Sequence, residues 1–143
     1  MKVKTFGSAT WSGGIKDGKG AISTKSGALT DYPYGLGSRY EGKPGSNPEE
    51  LLGAAHAACF TMNLSRLLTE AGFKADKMDT NAAVTLEIEG DSFTITSVHL
   101  TFKGEIPGID RQTFDGLIAR AKSGCPVSKL FNCTITLDAS LVS

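Results

Sequence analysis

One segment, NPEELLGAAHAACF at residues 47–60, constrains the fold of this chain more than any other. Asn47 suits an N-cap, Pro48 suits the first helical position, and Glu50 at the third helical position completes a capping-box pattern. The segment therefore predicts the start of a long helix that carries Cys59 about three turns in. A cysteine in such a position is usually a small core residue, so its chemistry has to be argued from its surroundings.

The first half of this predicted helix is apolar nearly all the way round, which is typical of a helix buried on most sides. We predict that the helix runs to about Ala71 and that Gly72 ends it. A chain of this length has little material with which to surround such a helix. We therefore predict that the same helix of a second subunit packs against it in a homodimer. The alternative is a helix covered by a curved sheet of its own chain. The residues that would allow a close approach are small: Gly53, Ala54, Ala55, Ala57 and Ala58.

The first third of the chain is rich in Gly, Ser and Thr and predicts short strands joined by turns. The predicted strands are residues 3–6, 9–11 and 20–24, with 29–30 belonging to a further strand. Residues 32–37 are predicted to form a turn-rich loop, and Arg39 follows on that loop.

The second half predicts a hairpin, two helices and a last strand. Residues 81–88 and 93–103 alternate between apolar and polar side chains around a turn at 89–92. Asp110 is predicted to cap a helix that ends at Gly124. The remaining predicted elements are a short helix from Cys125–Pro126 toward Leu130 and a strand over residues 133–141. This order of elements favours an α+β fold over a regular βαβ repeat.

Composition excludes several classes of protein. A length of 143 residues predicts one domain, residues 1–143. Fifteen basic and fifteen acidic side chains cancel, which argues against a nucleic-acid partner and against an anionic membrane surface. No N-terminal apolar stretch has the length of a signal peptide or a membrane span, so we expect a cytoplasmic protein.

Three cysteines and two histidines limit the chemistry. Their spacing contains no CxxC pair and no set of four zinc ligands. By helix position alone, Cys125 is the more acidic thiol, because it precedes a proline at a predicted helix start. Burial of Cys59 in mid-helix raises its pKa unless a cation lies close. Arg39 is the candidate cation, and the alternative is that it is an ordinary solvated charge.

Several other residues allow two interpretations, one functional and one structural. His56 lies one turn before Cys59 and is either a base for the thiol or a packed core residue with one hydrogen bond. Cys133 is predicted to be a small core residue. A set of apolar residues either lines a pocket for an alkyl group or packs in the core: Tyr32, Tyr34, Leu36, Phe60, Met62 and Phe131. The residues alone thus also allow a cysteine-dependent hydrolase or acyl transferase using Cys59 and His56, or a non-catalytic binder of small apolar ligands.

Two motifs, NPEELLGAAHAACF and the SGCPVS segment at residues 123–128, resemble the cysteine motifs of the OsmC/Ohr family. The names stand for osmotically inducible protein C and organic hydroperoxide resistance protein, and the OsmC branch fits better. The resemblance covers essentially the whole chain. It implies an OsmC-like α+β fold, with antiparallel sheets, a long buried central helix and an intertwined homodimer.

The resemblance also implies roles for four residues. Cys59 matches the peroxidatic thiol, Cys125 the resolving thiol, Arg39 the arginine that activates the thiolate, and Glu49 the glutamate that orients that arginine. The implied activity is reduction of organic hydroperoxides, and of hydrogen peroxide less well, through a Cys59 sulfenic acid and a Cys59–Cys125 disulfide. In that family an external dithiol, often of the lipoyl type, restores the thiols, and no metal, haem or flavin cofactor is needed.

Helical spacing adds one inference about assembly. Ten residues separate Glu49 from Cys59, so they lie about 15 Å apart along a helix axis. Helical side chains lean toward the N-terminus, which moves Glu49 further from Cys59. If Arg39 contacts both groups, we predict that Glu49 and Cys59 of one site come from different subunits.

Overall fold

The structure, a computed structural model, describes residues 1–142. The chain divides into two compact units, Met1–Leu51 and Leu52–Ser143. The expectation of a single domain over residues 1–143 stays a prediction. Across the described residues, no helix combines the length and the apolar character needed to cross a membrane.

The first unit contains an antiparallel sheet and a short helix. The strands are β1 (Gly7–Ser12), β2 (Lys19–Thr24) and β3 (Tyr32–Tyr34), in the order β1-β2-β3, and the helix is α1 (Leu36–Tyr40). The strands predicted at 9–11 and 20–24 are confirmed.

Three predictions for this unit are wrong. Residues 3–6 and 29–30 lie outside the strands, and residues 32–34 form β3 in place of a turn. Pro33 is compatible with β3 because β3 is an edge strand, where a missing backbone donor is tolerated. Residues 3–6 are outside β1 because pairing with β2 starts at Gly7 opposite Thr24.

The second unit contains a mixed sheet. Its strands are β4 (Lys77–Glu89), β5 (Ser92–Glu105) and β6 (Thr134–Leu141). β4 and β5 form the predicted antiparallel hairpin, whereas β6 pairs with β5 in parallel. The expectation of purely antiparallel sheets is therefore wrong for this unit. The chain between β5 and β6 forms helices, which supplies the long crossover that parallel strands require.

The part of the chain that the structure describes has three further helices: α2 (Pro48–Glu70), α3 (Arg111–Gly124) and α4 (Pro126–Leu130). The predicted caps are present. Asn47 Oδ1 accepts from the Glu50 backbone N–H at 2.7 Å, and Asp110 Oδ2 accepts from the Thr113 N–H at 2.9 Å. Gly72 has a φ of 86°, the left-handed conformation expected just beyond a helix end. The Glu50 carboxylate accepts from the Ser46 hydroxyl at 2.8 Å, which departs from the reciprocal capping box.

Helix α2 is one-sided within the single chain. One face packs in the core of the second unit through Phe60, Leu64, Leu67 and Leu68. On the opposite face Ala54, Ala55 and Ala58 are exposed, and Met62 keeps 76% of its accessible surface. The predicted burial of α2 on most sides is therefore not reached within one chain, which covers only one face of the helix. Coverage of the other face by a second subunit stays a prediction.

Candidate active site

A charged pair occupies the first unit. Arg39 binds the Glu49 carboxylate with two guanidinium nitrogens: Nε lies 3.0 Å from Oε1 and 3.3 Å from Oε2, and Nη2 lies 2.7 Å from Oε1. The side chain of Glu49 is 10% exposed and that of Arg39 is 31% exposed. A two-pronged contact fixes the plane of the guanidinium as well as its position. The pair thus presents an oriented cation, as the predicted role of Glu49 requires.

Arg39 lies on helix α1, which corrects its predicted place on a loop. The Ser38 hydroxyl donates to the Ser46 carbonyl at 2.6 Å, and Asn47 Nδ2 donates to the Ser38 carbonyl at 3.0 Å. These contacts tie α1 to the residues just before α2. Because Glu49 is in the first turn of α2, the same contacts bring Arg39 to its carboxylate.

A thiol pair occupies the second unit. Cys59 on α2 and Cys125 at the N-cap of α4 are free thiols, Cys59 half-buried and Cys125 fully buried. The two thiols are close enough to interact as hydrogen-bonding groups, although 66 positions separate them in the sequence. The structure thus brings the two sequence-predicted cysteines together.

Burial raises the pKa of the Cys59 thiol above its ordinary value. The backbone N–H of Val127 acts in the opposite direction, and the neighbouring Cys125 thiol raises the pKa further. Val127 is in the first turn of α4, so the N–H of that helix start acts on Cys59. Cys125, at the cap itself, makes no side-chain capping hydrogen bond. From the sequence, the start of α4 was expected to act on Cys125 alone, and its effect on Cys59 was not predicted.

A pocket of about 320 Å³ opens beside Cys59. Its lining is mainly apolar and comprises Ala58, Cys59, Met62, Asn63, Arg66 and Pro126. Asn63 Nδ2 donates to the Ala121 carbonyl of α3 at 3.1 Å, and Arg66 donates to Asn63 Oδ1 at 3.1 Å and to Glu70 at 2.6 Å. Asn63 and Arg66 are four and seven residues after Cys59, so helical spacing could have identified them. Neither residue was predicted to belong to the site.

His56 is a packed core residue in this structure. Its ring is fully buried, and Nε2 lies 2.7 Å from the Ser128 hydroxyl of α4. Among the described residues Nδ1 has no hydrogen-bond partner. Burial lowers the pKa of His56, which keeps the imidazole neutral near pH 7. The single hydrogen bond fits the packed reading of His56 better than the reading as a base for Cys59.

The other candidates separate into core and pocket residues. Phe60 is fully buried, Phe131 contacts the His56 ring edge-on, and Cys133 packs against the core, as predicted for that cysteine. Of the six apolar residues proposed for a pocket, Met62 lines the one beside Cys59. Tyr32, Tyr34 and Leu36 belong to the first unit.

An α+β fold with two interacting thiols beside an apolar pocket is typical of a thiol redox protein, and this is the class to which the site points. A family model described as "OsmC-like protein" matches residues 40–140. Peroxiredoxin OsmC of Escherichia coli strain K12 is 52% identical over 143 residues, which is 100% of both chains. The chain belongs to the OsmC family, as its two cysteine motifs had suggested.

Two solved structures support the fold. The organic hydroperoxide resistance protein OhrB of Bacillus subtilis superposes with a TM-score of 0.70 at 26% identity, covering 96% of this chain and 98% of that one. An OsmC-like protein from Mycoplasma pneumoniae superposes with a TM-score of 0.78 at 14% identity, covering 100% of both chains. The second likeness concerns the fold alone.

Proposed function

We propose that this protein reduces organic hydroperoxides to alcohols, with Cys59 as the peroxidatic thiol and Cys125 as the resolving thiol. The observation that carries the proposal is the Cys59–Cys125 contact at an apolar pocket. A full-length relative at 52% identity is a peroxiredoxin, and OhrA of Bacillus subtilis, 31% identical over 97 residues, is an organic hydroperoxide resistance protein. The protein is therefore a thiol-dependent peroxidase.

The first step is attack of the Cys59 thiolate on the distal oxygen of the hydroperoxide. The O–O bond breaks, Cys59 becomes a sulfenic acid, and the alkoxide leaves as an alcohol after taking a proton. Sulfur loses two electrons and the peroxide gains them. The apolar lining of Met62, Ala58 and Pro126 favours an alkyl substituent, so hydrogen peroxide is the poorer substrate.

The second step is condensation of the Cys59 sulfenic acid with the Cys125 thiol. An S–S bond forms and water leaves. An external dithiol then exchanges with the disulfide, is itself oxidised and restores both thiols. A lipoyl-type dithiol fits this role, and the cytoplasm, where thiols are kept reduced, is the compartment we propose.

Arg39 supplies the positive charge that the Cys59 site needs, and Glu49 orients it. Burial opposes ionisation of Cys59, so a nearby cation is required to make the thiolate at neutral pH. We assign this role to Arg39, oriented by its two-pronged contact with Glu49. An arginine keeps its charge at every physiological pH.

The active enzyme we propose is an intertwined homodimer. The exposed small residues on α2, Ala54, Ala55 and Ala58, allow the α2 helices of two subunits to approach closely, and exposed Met62 extends this apolar face. Helical spacing argues that Glu49 and Cys59 of one site come from different subunits, because one guanidinium cannot span about 15 Å. A structure of the dimer in which one chain supplies Arg39, Glu49 and Cys59 to the same site would contradict this arrangement.

The test is consumption of cumene hydroperoxide by purified protein with dithiothreitol. Turnover in the wild type, none in Cys59→Ser, and one stalled oxidation in Cys125→Ser are expected. Cys133→Ser is the matched control, since it removes a thiol outside the proposed pair and should retain turnover. Absence of turnover in the wild type with dithiothreitol and with dihydrolipoamide would contradict the proposal.

A further inference from the structure

The imidazole of His56 connects two elements that carry the thiol pair. It lies on α2 one turn before Cys59, and its Nε2 is 2.7 Å from the Ser128 hydroxyl on α4. The ring of Phe131, directly after α4, meets the same imidazole edge-on with centroids 5.2 Å apart. Both contacts hold α4 to α2.

Helix α4 needs such an anchor. It has five residues, Pro126–Leu130, and a helix this short is not stable by itself in water. Cys125 is its N-cap, and the Val127 N–H that acts on the Cys59 sulfur is in its first turn. The placement of α4 therefore sets the position of both groups relative to Cys59.

Burying the imidazole of His56 costs free energy, because one of its ring nitrogens has no partner among the described residues. The ring is fully buried, yet Nδ1 has no hydrogen-bond partner among the described residues. An apolar side chain at this place would avoid an unpaired buried polar atom. A histidine is nevertheless present here, and its other nitrogen, Nε2, contacts the Ser128 hydroxyl. A function of that contact would account for the histidine.

We propose that His56 is a positioning residue, which through Ser128 holds the Cys125–Val127 segment against Cys59 for the resolving step. The inference rests on the proposed peroxidase function. Condensation requires the Cys125 sulfur to reach the Cys59 sulfenic acid as water leaves, and small displacements of reacting groups slow such steps strongly. His56 touches neither reacting sulfur in this role and acts through Ser128.

The experiment compares four variants with the wild type. Ser128→Ala removes the hydroxyl, and Ser128→Thr keeps it. The double variant His56→Leu/Ser128→Ala removes both polar partners, which avoids an unpaired imidazole and limits the loss of stability. Ser140→Ala is the matched control, because it deletes a serine hydroxyl on β6 that donates to the Phe102 carbonyl.

Three quantities are measured. Rapid mixing with one equivalent of cumene hydroperoxide separates sulfenic acid formation from disulfide formation. The pH profile of Cys59 alkylation reports the effect of the Val127 N–H on the thiol, and thermal unfolding reports stability. We expect disulfide formation in Ser128→Ala to slow about tenfold, the rate equivalent of one lost hydrogen bond. The alkylation midpoint should move to higher pH, and Ser128→Thr should restore both values.

The double variant separates positioning from stability. We expect it to regain thermal stability while disulfide formation stays slow. Recovery of the rate together with stability, or an unchanged rate in Ser128→Ala, overturns the inference. If the wild type consumes no hydroperoxide, the proposed function fails by itself, and an alkylation midpoint in Ser128→Ala equal to that of the wild type then overturns the positioning role.

Discussion

The charged pair of the first unit and the thiol pair of the second unit are opposites in their electrostatics. Arg39 and Glu49 satisfy each other with two-pronged hydrogen bonds, so the guanidinium is fixed in position and in plane. The Cys59 thiol lies in an environment that favours its neutral form, since burial raises its pKa. The first unit thus holds an oriented cation, and the second unit holds a reactive thiol whose ionisation burial disfavours. The proposed enzyme needs both.

The largest effect expected from breaking this complementarity is at Arg39. Arg39→Met keeps much of the side-chain volume and removes the charge. Because an adjacent opposite charge typically lowers an acid's pKa by about 1–3 units, we expect the thiolate fraction at neutral pH, and with it kcat/KM for cumene hydroperoxide, to fall about 10- to 1,000-fold. The pH profile of Cys59 alkylation should move to higher pH. The control Arg111→Met removes an exposed arginine paired with Asp115 on α3. An Arg39→Met enzyme with an unchanged kcat/KM would remove Arg39 from the mechanism.

A smaller effect is expected from Glu49→Gln. The amide keeps the shape of the carboxylate but not its charge, so the guanidinium is held less firmly. We expect kcat/KM to fall about tenfold, the equivalent of roughly 1.4 kcal/mol, and less than in Arg39→Met. A fall larger than that of Arg39→Met would mean that Glu49 acts on the thiol by itself.

A further prediction concerns the effect of the Cys125 thiol on Cys59. Its thiol raises the pKa of Cys59, so Cys125→Ala should shift the Cys59 alkylation profile to lower pH while it abolishes multiple turnover. Stopped-flow oxidation with one equivalent of hydroperoxide should leave a persistent sulfenic acid that dimedone traps. A shift to higher pH would show that Cys125 stabilises the Cys59 thiolate.

The smallest effect concerns stability and pH. The pKa of His56 is lowered by burial, so the unfolded chain binds a proton more readily than the folded one below about pH 6.5. The free energy of unfolding should therefore fall as pH drops through that value toward the lowered folded-state pKa. In urea titrations at pH 7 and pH 5, His56→Leu/Ser128→Ala should lose less stability than the wild type. His99 is present in both proteins, and equal losses would assign the effect to groups other than His56.

Local signals in the sequence predicted much of this fold. The caps at Asn47 and Asp110, the ending at Gly72 and the β4–β5 hairpin all depend on neighbouring residues. The errors concern pairing that neighbours do not determine. The start of β1 is set by its partner strand, and the parallel placement of β6 beside β5 depends on the helices between them.

The sequence supplied candidate site residues, whose roles stay predictions, but not their contacts. The cysteine motifs singled out Cys59 and Cys125 as candidates. Arg39 was the candidate cation from the residues alone, and the family resemblance added the role of Glu49. The His56–Ser128 contact joins positions 72 residues apart, and no local pattern in the sequence reports such a pair. The action of the Val127 N–H on Cys59 was missed for the same reason, because it depends on where α4 packs.

The most direct test of the account is the identity of the bond formed by one equivalent of cumene hydroperoxide in the wild-type protein. The sample is quenched with an alkylating reagent, digested without reduction and mapped by mass spectrometry. We expect a Cys59–Cys125 cross-link, with Cys133 alkylated. A cross-link that contains Cys133, or a Cys59 that remains alkylatable after the hydroperoxide has been added, would contradict it.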